Sequence, residues 1–444
     1  MNRKRLSHIQ IIALGYFVIV VIGTLLLMLP IATNSGNCAP LGTALFTSIS
    51  ASCVTGLIVQ NTVTYWSVFG QVVILGLIQL GGLGYMTIAT VFYRLIIRRR
   101  GIREKVLMAE SINTTRMNNF SNLIKKIFWG TVIIEVLGAA LLSIRFIPLF
   151  GLLKGIYYSI FHSVSAFCNA GFDLLGSPTP FNSLVNYNND PLIILVISAL
   201  IIVGGLGFLV WDDITAKRFR LKKLNLHSKI VLSVTSFLLL ISTLLFLLFE
   251  HDKLFGEMSA GTKLLNSFFS AVTPRTAGFN SVDIASLSET SKLLTIALMF
   301  IGGSSGSTAG GIKTTSFFVI LAFAISSIRG KEGMCAFKKR INNEFLNKAL
   351  LITFINLSLA LVGTFIICAT EPVSLSNALI ETFSAISTVG LTAGVTTTLG
   401  TASQITLMLL MYCGRVGSVS FAAALFEKRR SAPVTYPAES ITIG

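Results

Sequence analysis

One short phrase occurs four times in this chain, and its recurrence constrains the fold more than any other feature. The copies are FTSISASCVTGL (46–57), FHSVSAFCNAGF (161–172), FFSAVTPRTAGF (268–279) and IETFSAISTVGL (380–391). Aligned without gaps, Phe46, Phe161, Phe268 and Ile380 share one column, and Gly56, Gly171, Gly278 and Gly390 share another ten positions on. Leu57, Phe172, Phe279 and Leu391 follow. The glycines recur at about a quarter of the 444 residues, which marks a fourfold internal repeat.

Each phrase stands between two apolar runs long enough to cross a bilayer. The runs are 11–30 and 71–93, 127–149 and 191–211, 230–249 and 293–328 (interrupted), then 348–369 and 402–426, so eight spans fall into four pairs. With 53% hydrophobic and 12% charged residues, a disordered chain and most soluble enzymes are excluded. The formal charge of +17 is gathered in blocks. They are Arg3 to Arg5, Arg94 to Lys126, Lys217 to Lys229, Arg329 to Lys348 and Lys428 to Arg430, each separated from the next by two spans. By the positive-inside rule the blocks and both termini are cytoplasmic. A nucleic-acid surface would need them on a soluble domain, and none is present. The run from Ile11 to Leu29 is too long for a signal-peptide core and lacks a small-residue cleavage site. The six cysteines form no CxxC or Cys/His cluster, so neither a disulfide framework nor a zinc site is signalled. The expected units are repeat 1 at 1–99, a linker with repeat 2 at 100–216, repeat 3 at 217–330, repeat 4 at 331–430 and a tail at 431–444.

About ten residues cannot cross a bilayer as a helix, so each phrase reads as a re-entrant half-helix followed by extended chain. Non-helical backbone is tolerated at membrane depth only where protein buries it or a wet cavity solvates it. Four such segments around one axis make a ring. They are Val54-Thr55-Gly56, Asn169-Ala170-Gly171, Thr276-Ala277-Gly278 and Thr388-Val389-Gly390, and they offer carbonyl oxygens with almost no ionisable groups. Such oxygens are neutral, hard ligands that can replace the hydration shell of a monovalent cation. The carboxyl ends of the half-helices favour a cation as well. Close helix packing would explain any one of these glycines but not four in register. It is the reading for Gly81, Gly82 and Gly84, and for Gly204, Gly205 and Gly207, inside long spans.

The third repeat breaks its second span with GGSSGSTAGGIKTTS (302–316). Gly306, Gly311, Lys313 and Thr314 have the composition of a phosphate-binding loop, but Ile312 intervenes and no soluble α/β strand precedes it. An unwound loop at membrane depth, able to obstruct a pore and move aside, is the expectation. Arg415, in CGRVGS of the last span, costs roughly 2.5–3.5 kcal/mol to insert. It reads either as paired with a carboxylate or loop carbonyls, or as an electrostatic barrier or latch beside the loop. Glu135 and Glu381 are weighed the same way, with satisfaction of a neighbour as the plainer role. His162 reads as a structural hydrogen-bonding residue.

The phrases SCVTGL, SAFCNAGFDLL, TPRTAGFNS and SAISTVGLTAG, with GGSSGSTAGGIKTT, resemble the superfamily of Trk, Ktr and HKT potassium transporters over essentially the whole chain. Length and span count are closest to KtrB-type subunits. The resemblance implies an all-α polytopic membrane protein. It has four M1-P-M2 repeats, that is, eight transmembrane spans plus four re-entrant pore helices, around one pseudo-fourfold pore. It implies that Gly56, Gly171, Gly278 and Gly390 are filter glycines, with K+ on the carbonyls of the two residues before each. It also implies a gate formed by Gly302, Gly303, Ser304, Ser305, Gly306, Ser307, Thr308, Ala309, Gly310, Gly311 and Lys313, with Arg415 constricting the pore. Further implications are a homodimer in the plasma membrane and a cytoplasmic KtrA-like RCK ring that carries ATP or ADP, with no nucleotide on this chain. Transport is expected to depend on Na+. A sodium or ammonium pathway of the same architecture is the alternative, disfavoured by glycine rather than serine in the first phrase. An intramembrane enzyme would need a convergent acid, base or nucleophile cluster, and only isolated groups are present.

Overall fold

The structure is a computed structural model that describes residues 8–84, 120–176, 181–330 and 333–417. The first repeat contains α1 (His8–Leu27), α2 (Leu41–Cys53), the short α3 (Thr62–Tyr65) and α4 (Val68–Leu83). The second contains α5 (Phe120–Phe150), α6 (Leu152–Phe167), α7 (Pro191–Leu206) and α8 (Phe208–Ala216). In the third, α9 (Leu226–Glu250) and α10 (Ala260–Val272) precede α11 (Glu289–Phe300) and α12 (Thr314–Ile328). A hairpin of β1 (Met334–Ala336) and β2 (Lys339–Ile341) leads to α13 (Asn343–Thr370), α14 (Leu375–Ile386) and α15 (Thr401–Val416). Each repeat is thus an outer helix, a pore helix and an inner helix.

Local chemistry sets the helix starts. Ser67, Ser288 and Ser374 accept backbone N–H groups as N-caps of α4, α11 and α14, and Asp190 caps α7 ahead of Pro191. Among the described residues, Lys125–Phe150, Leu226–Glu250 and Asn343–Thr370 are long and apolar enough to span a membrane, and α7 with α8 qualifies as a pair bent by 90°. The outer helices turn residues such as Ile133, Leu240 and Phe365 outward, an apolar girdle that only lipid solvates well.

The packing order is cyclic. Each pore helix contacts helices of its own repeat, and each inner helix also packs on the pore helix of the next: α4 on α6, α7 on α10, α11 on α14. The last inner helix, α15, returns to α2 of the first repeat.

Several expectations are corrected here. The pore helices run well past ten residues, because each begins upstream of its phrase. The inner spans are not continuous helices. A Gly-x-x-Gly pair occurs in all four, at 81/84, 204/207, 303/306 and 414/417, and its second glycine has φ of +76°, +96°, +69° and +94°. Only glycine takes that backbone without strain, so the helix stops there in repeats 1, 2 and 4. In the third repeat the helix has already ended at Phe300. Helix resumes at Thr314, behind extended Lys313, so the irregular loop is 302–313 and the last three residues of 302–316 are helical. The expected remainders of spans 71–93 and 402–426, the basic blocks at Arg3 to Arg5 and Lys428 to Arg430, most of the Arg94 to Lys126 block and the tail 431–444 lie outside the described residues.

Candidate functional site

The four glycine segments meet at one point, and their contacts close a circle. A Cβ on Gly56 would lie 2.5 Å from the Ala170 carbonyl oxygen, and one on Gly171 would lie 2.8 Å from that of Ala277. On Gly278 it would strike the Val389 oxygen, and on Gly390 the Thr55 oxygen. Each glycine therefore faces the carbonyl just before the glycine of the next repeat, and the fourth returns to the first.

The backbone alternates in hand within every segment. Val54 and Gly56 have positive φ, as do Asn169 and Gly171, Thr276 and Gly278, and Thr388 and Gly390, whereas the residue between each pair does not. Alternation of this kind sends successive carbonyls to one edge of the strand and N–H groups to the other. The N–H edge is anchored on the pore helices. Thr55 N–H donates to the Ser50 carbonyl (2.8 Å) and Gly56 N–H to Ser50 Oγ (3.1 Å). In repeat 4, Val389 and Gly390 make the same pair with Ser384, at 2.8 and 3.0 Å. In repeat 2, Ala170 N–H donates to the Ser165 carbonyl and Ser165 Oγ donates to Phe172 O (2.6 Å). In repeats 1 and 4 both amides are thus engaged, in repeat 2 that of Ala170 and in repeat 3 that of Ala277, on Thr273 O, while the ring carbonyls are left free. The ring side chains are buried, and the Thr55 and Thr388 hydroxyls have no partner.

The third strand departs from the others for a reason the gapless alignment hid. Its Ser270-Ala271 dipeptide stands two residues further from the glycine than Ser50-Ala51, Ser165-Ala166 and Ser384-Ala385 do from theirs. Thr273 Oγ1, donating to Phe279 O, takes the serine's place. The extra length carries Arg275, whose buried guanidinium donates to Thr235 Oγ1 at 3.2 Å. Phe269 rather than the aligned Phe268 is fully buried. The Asn169 amide lies 3.3 Å from the Thr276 hydroxyl, joining strands two and three.

Loop 302–313 lies against the helix side of this ring, contacts repeats 2 and 4 directly and reaches repeat 1 through Arg415. Ser304 N–H donates to Gly205 O (3.0 Å), and Phe208 N–H donates back to Gly306 O (2.8 Å), so the break after α7 holds the loop. Thr308 Oγ1 donates to Phe167 O, the carboxyl end of pore helix α6, at 3.2 Å. Gly310 is seated on Thr388, where a Cβ would lie 2.6 Å from Ser387 O and collide with the threonine hydroxyl. Lys313 Nζ donates to Ala309 O at 2.8 Å, within the loop itself.

Arg415 joins the loop to the first repeat. Its Nη1 donates to Thr308 O at 2.6 Å, and its Nη2 donates to the Gly81 and Gly82 carbonyls at the carboxyl end of α4. Among the described residues no carboxylate pairs with it. A guanidinium is matched to this task, since its fixed fork reaches carbonyls on two elements and a cation is favoured at a helix carboxyl end. Glu135 accepts from Gln79 Nε2 at 3.2 Å, beside Cys168, and faces neither ring nor loop.

The span glycines separate into two groups. A Cβ on Gly81, Gly204 or Gly414 would collide with the last carbonyls of pore helices α2, α6 and α14, at Ser52, Phe167 and Ile386. Gly82 is packed on Cys168, where an added Cβ would lie 2.6 Å from Sγ. Gly84 and Gly207 are helix ends, Gly207 being packed on the loop as well, where a Cβ would lie 2.8 Å from Ser305 O, and a Cβ on Gly205 would meet only the Asn169 amide, at 3.5 Å.

Four membrane-inserted repeats, a closed ring of backbone carbonyls and a loop pinned beneath it define a pore-loop membrane protein. Comparison with known proteins gives the family. The model of the TrkH family, described as cation transport protein, matches residues 4–431, and the chain belongs to that family. It is 43% identical to the potassium/sodium uptake protein NtpJ of Enterococcus hirae, over 100% of this chain and 98% of that one. It is 40% identical to Ktr system potassium uptake protein B of Bacillus subtilis, over 99% and 97%. Among solved structures, the potassium transporter TrkH of Vibrio parahaemolyticus matches with a TM-score of 0.73 at 18% identity, over 96% of this chain and 86% of that one, a likeness of fold. The family transports cations, so the chain is a transport protein and not an intramembrane enzyme.

Proposed function

We propose that this chain is the potassium-translocating membrane subunit of a Ktr-type uptake system. The observation that carries the reading is the closed ring, in which Gly56, Gly171, Gly278 and Gly390 each abut the carbonyl of the next repeat. A cation entering it exchanges water for carbonyl oxygens whose strands are braced from behind by Ser50, Ser165 and Ser384. The unpartnered Thr55 and Thr388 hydroxyls add oxygens with no competing protein donor. Potassium moves down its electrochemical gradient, and no step requires a reacting side chain.

Loop 302–313 is the gate in this reading. Arg415 is its latch, because one side chain ties Thr308 of the loop to the Gly81 and Gly82 carbonyls of repeat 1. Opening means breaking those bonds and withdrawing Gly310 from Thr388. The relatives, a potassium/sodium uptake protein and protein B of a Ktr system, support potassium, with sodium as a second ion, and a system of more than one subunit. The functional unit we infer is a homodimer in the plasma membrane, both termini cytoplasmic, docked on a KtrA-like RCK ring that binds ATP or ADP. The four repeats are taken as 1–99, 100–216, 217–330 and 331–430.

The test is growth of a potassium-uptake-deficient bacterium on limiting potassium, with this chain expressed alone or with a KtrA-like partner. Rescue by the native chain and not by Gly390→Ser is the expected result. Failure of the native chain in both settings, with the protein in the membrane, sinks the reading.

A further inference from the structure

Two pore helices carry a polar side chain that neither the ring nor the loop uses. The second column of the fourfold phrase holds Thr47, His162, Phe269 and Glu381. His162 Nε2 accepts the backbone N–H of Leu174 at 3.2 Å. Glu381 Oε1 accepts the backbone N–H of Ala393 at 3.1 Å and the Thr392 hydroxyl at 2.5 Å, while Oε2 accepts the Thr396 hydroxyl at 2.6 Å. Leu174 and Ala393 are each the third residue after their ring glycine, so the two side chains make one bond at equivalent places. Because the repeats follow one another around the ring, the second and fourth stand on opposite sides of the pore.

Both groups are built for this bond. His162 Nδ1 lies 2.7 Å from the Tyr158 carbonyl, which fixes the proton on Nδ1 and leaves Nε2 as an acceptor. Its ring is enclosed by Phe146, Phe161 and Phe279 at 5.3, 6.0 and 6.5 Å between centroids. Glu381 is fully buried and all three of its partners are donors. In the other two repeats the column makes no such bond. Thr47 forms none to the strand leaving Gly56, and Phe269 has no polar atom, while the Ser281 hydroxyl beyond it is buried without a partner.

We propose that His162 and Glu381 are positioning residues for ion discrimination. They hold the strands that leave the ring in two opposed repeats, and so fix the separation of the carbonyls just before them, whereas the strand of repeat 3 is tied elsewhere, by Thr273 Oγ1 to Phe279 O and by Leu184 N–H to Asn280 O at 3.0 Å. The inference rests on the potassium reading above. Loss of either acceptor leaves a buried N–H unpaired, which lets the strand turn to find another partner. A shift in carbonyl position then weakens the preference for potassium over a smaller ion.

The experiment is uptake of K+ and of Na+ by the full chain in lipid vesicles, with thermal stability measured on the same preparations. His162→Phe fits the aromatic cage without an acceptor, and Glu381→Met keeps length without one. Each is expected to lower the K+/Na+ uptake ratio by roughly tenfold, through increased Na+ uptake with K+ uptake retained. His162→Gln and Glu381→Gln keep an acceptor oxygen and should keep the native ratio, as should Thr47→Val. A native ratio in both His162→Phe and Glu381→Met overturns the proposal. Equal loss of both ions together with lower thermal stability overturns it too, by assigning a merely structural role. A fall in Glu381→Gln as deep as in Glu381→Met removes positioning by Glu381 in favour of its charge. If one disruptive variant fails to reach the membrane, the other decides. If the native chain does not favour K+, the proposed function fails and not this inference alone.

Discussion

At the scale of single residues, the ring glycines and Arg415 act through what a side chain would displace or hold. A Cβ at Gly390 collides with the Thr55 oxygen, and φ of +93° is strained for any other residue. Gly390→Ser should therefore weaken potassium uptake and reduce discrimination against sodium by roughly tenfold or more, measured as uptake of each ion in vesicles. Arg415→Lys keeps the charge but loses the fork that spans Thr308 O and the Gly81 and Gly82 carbonyls. Its expected effect is a rise of roughly tenfold in potassium flux without any partner ring, since an ammonium cannot bridge Thr308 O and the α4 carbonyls as the fork does. Unchanged flux in this variant would show that the guanidinium holds the fold and not the gate. The sequence located both groups and offered loop carbonyls as one partner of Arg415, as at Thr308 O, but not the carbonyls of α4. Gly390 was legible because three other glycines stand in its column, whereas the carbonyls around Arg415 come from residues far away in the chain, and nothing in the sequence says that these segments meet.

Secondary elements tell a more mixed story. The long outer spans follow from apolar length and stand where the hydrophobic runs placed them, and serine caps open two of the pore helices, α10 at Ser259 and α14 at Ser374. The ends of the inner helices in repeats 1, 2 and 4 do not follow from hydropathy, and the backbone angle at Gly84, Gly207 and Gly417 marks them, whereas the break in the third is legible from its run of glycine, serine and threonine. The two-residue excess of the third phrase was likewise invisible once the glycines were aligned without gaps. Loop 302–313 offers a direct test. Its flanks already touch, with a Cβ on Gly302 placed 3.0 Å from Gly311 Cα. Removing 303–310 should thus leave α11 and α12 in place while raising potassium flux in the absence of a partner. Loss of flux with normal expression would make the loop part of the wall. Helix contact gives another test. Gly204→Ala drives a methyl into Phe167 O and toward Thr308 Oγ1 at 3.1 Å, and should destabilise the protein by about 1–3 kcal/mol in detergent melting. At neighbouring Gly205 the same change meets only Asn169 at 3.5 Å, and melting should move little.

On the scale of the whole molecule, the charge blocks give an orientation and two native thiols can check it. Cys38, between α1 and α2, and Cys335, in the hairpin that follows α12, are both exposed and free. The proposed topology puts them on opposite faces of the membrane. With the exposed Cys368 replaced by serine, a membrane-impermeant maleimide applied to intact cells should label Cys38, and Cys335 should react only after permeabilisation. Labelling of both, or of Cys335 first, would reverse the orientation inferred from lysine and arginine.

The circular packing order bears on how the protein is made. Helix α15 leans on α2, and Gly390 meets Thr55, so the last quarter of the chain completes a wall begun by the first. Synthesis is linear, and contacts this distant in sequence form late because a long loop of chain must be closed to make them. Until residue 390 has been threaded into the bilayer, the three earlier quarters have an open side and enclose no passage. A ribosome that stalls midway leaves debris in the membrane rather than a leak.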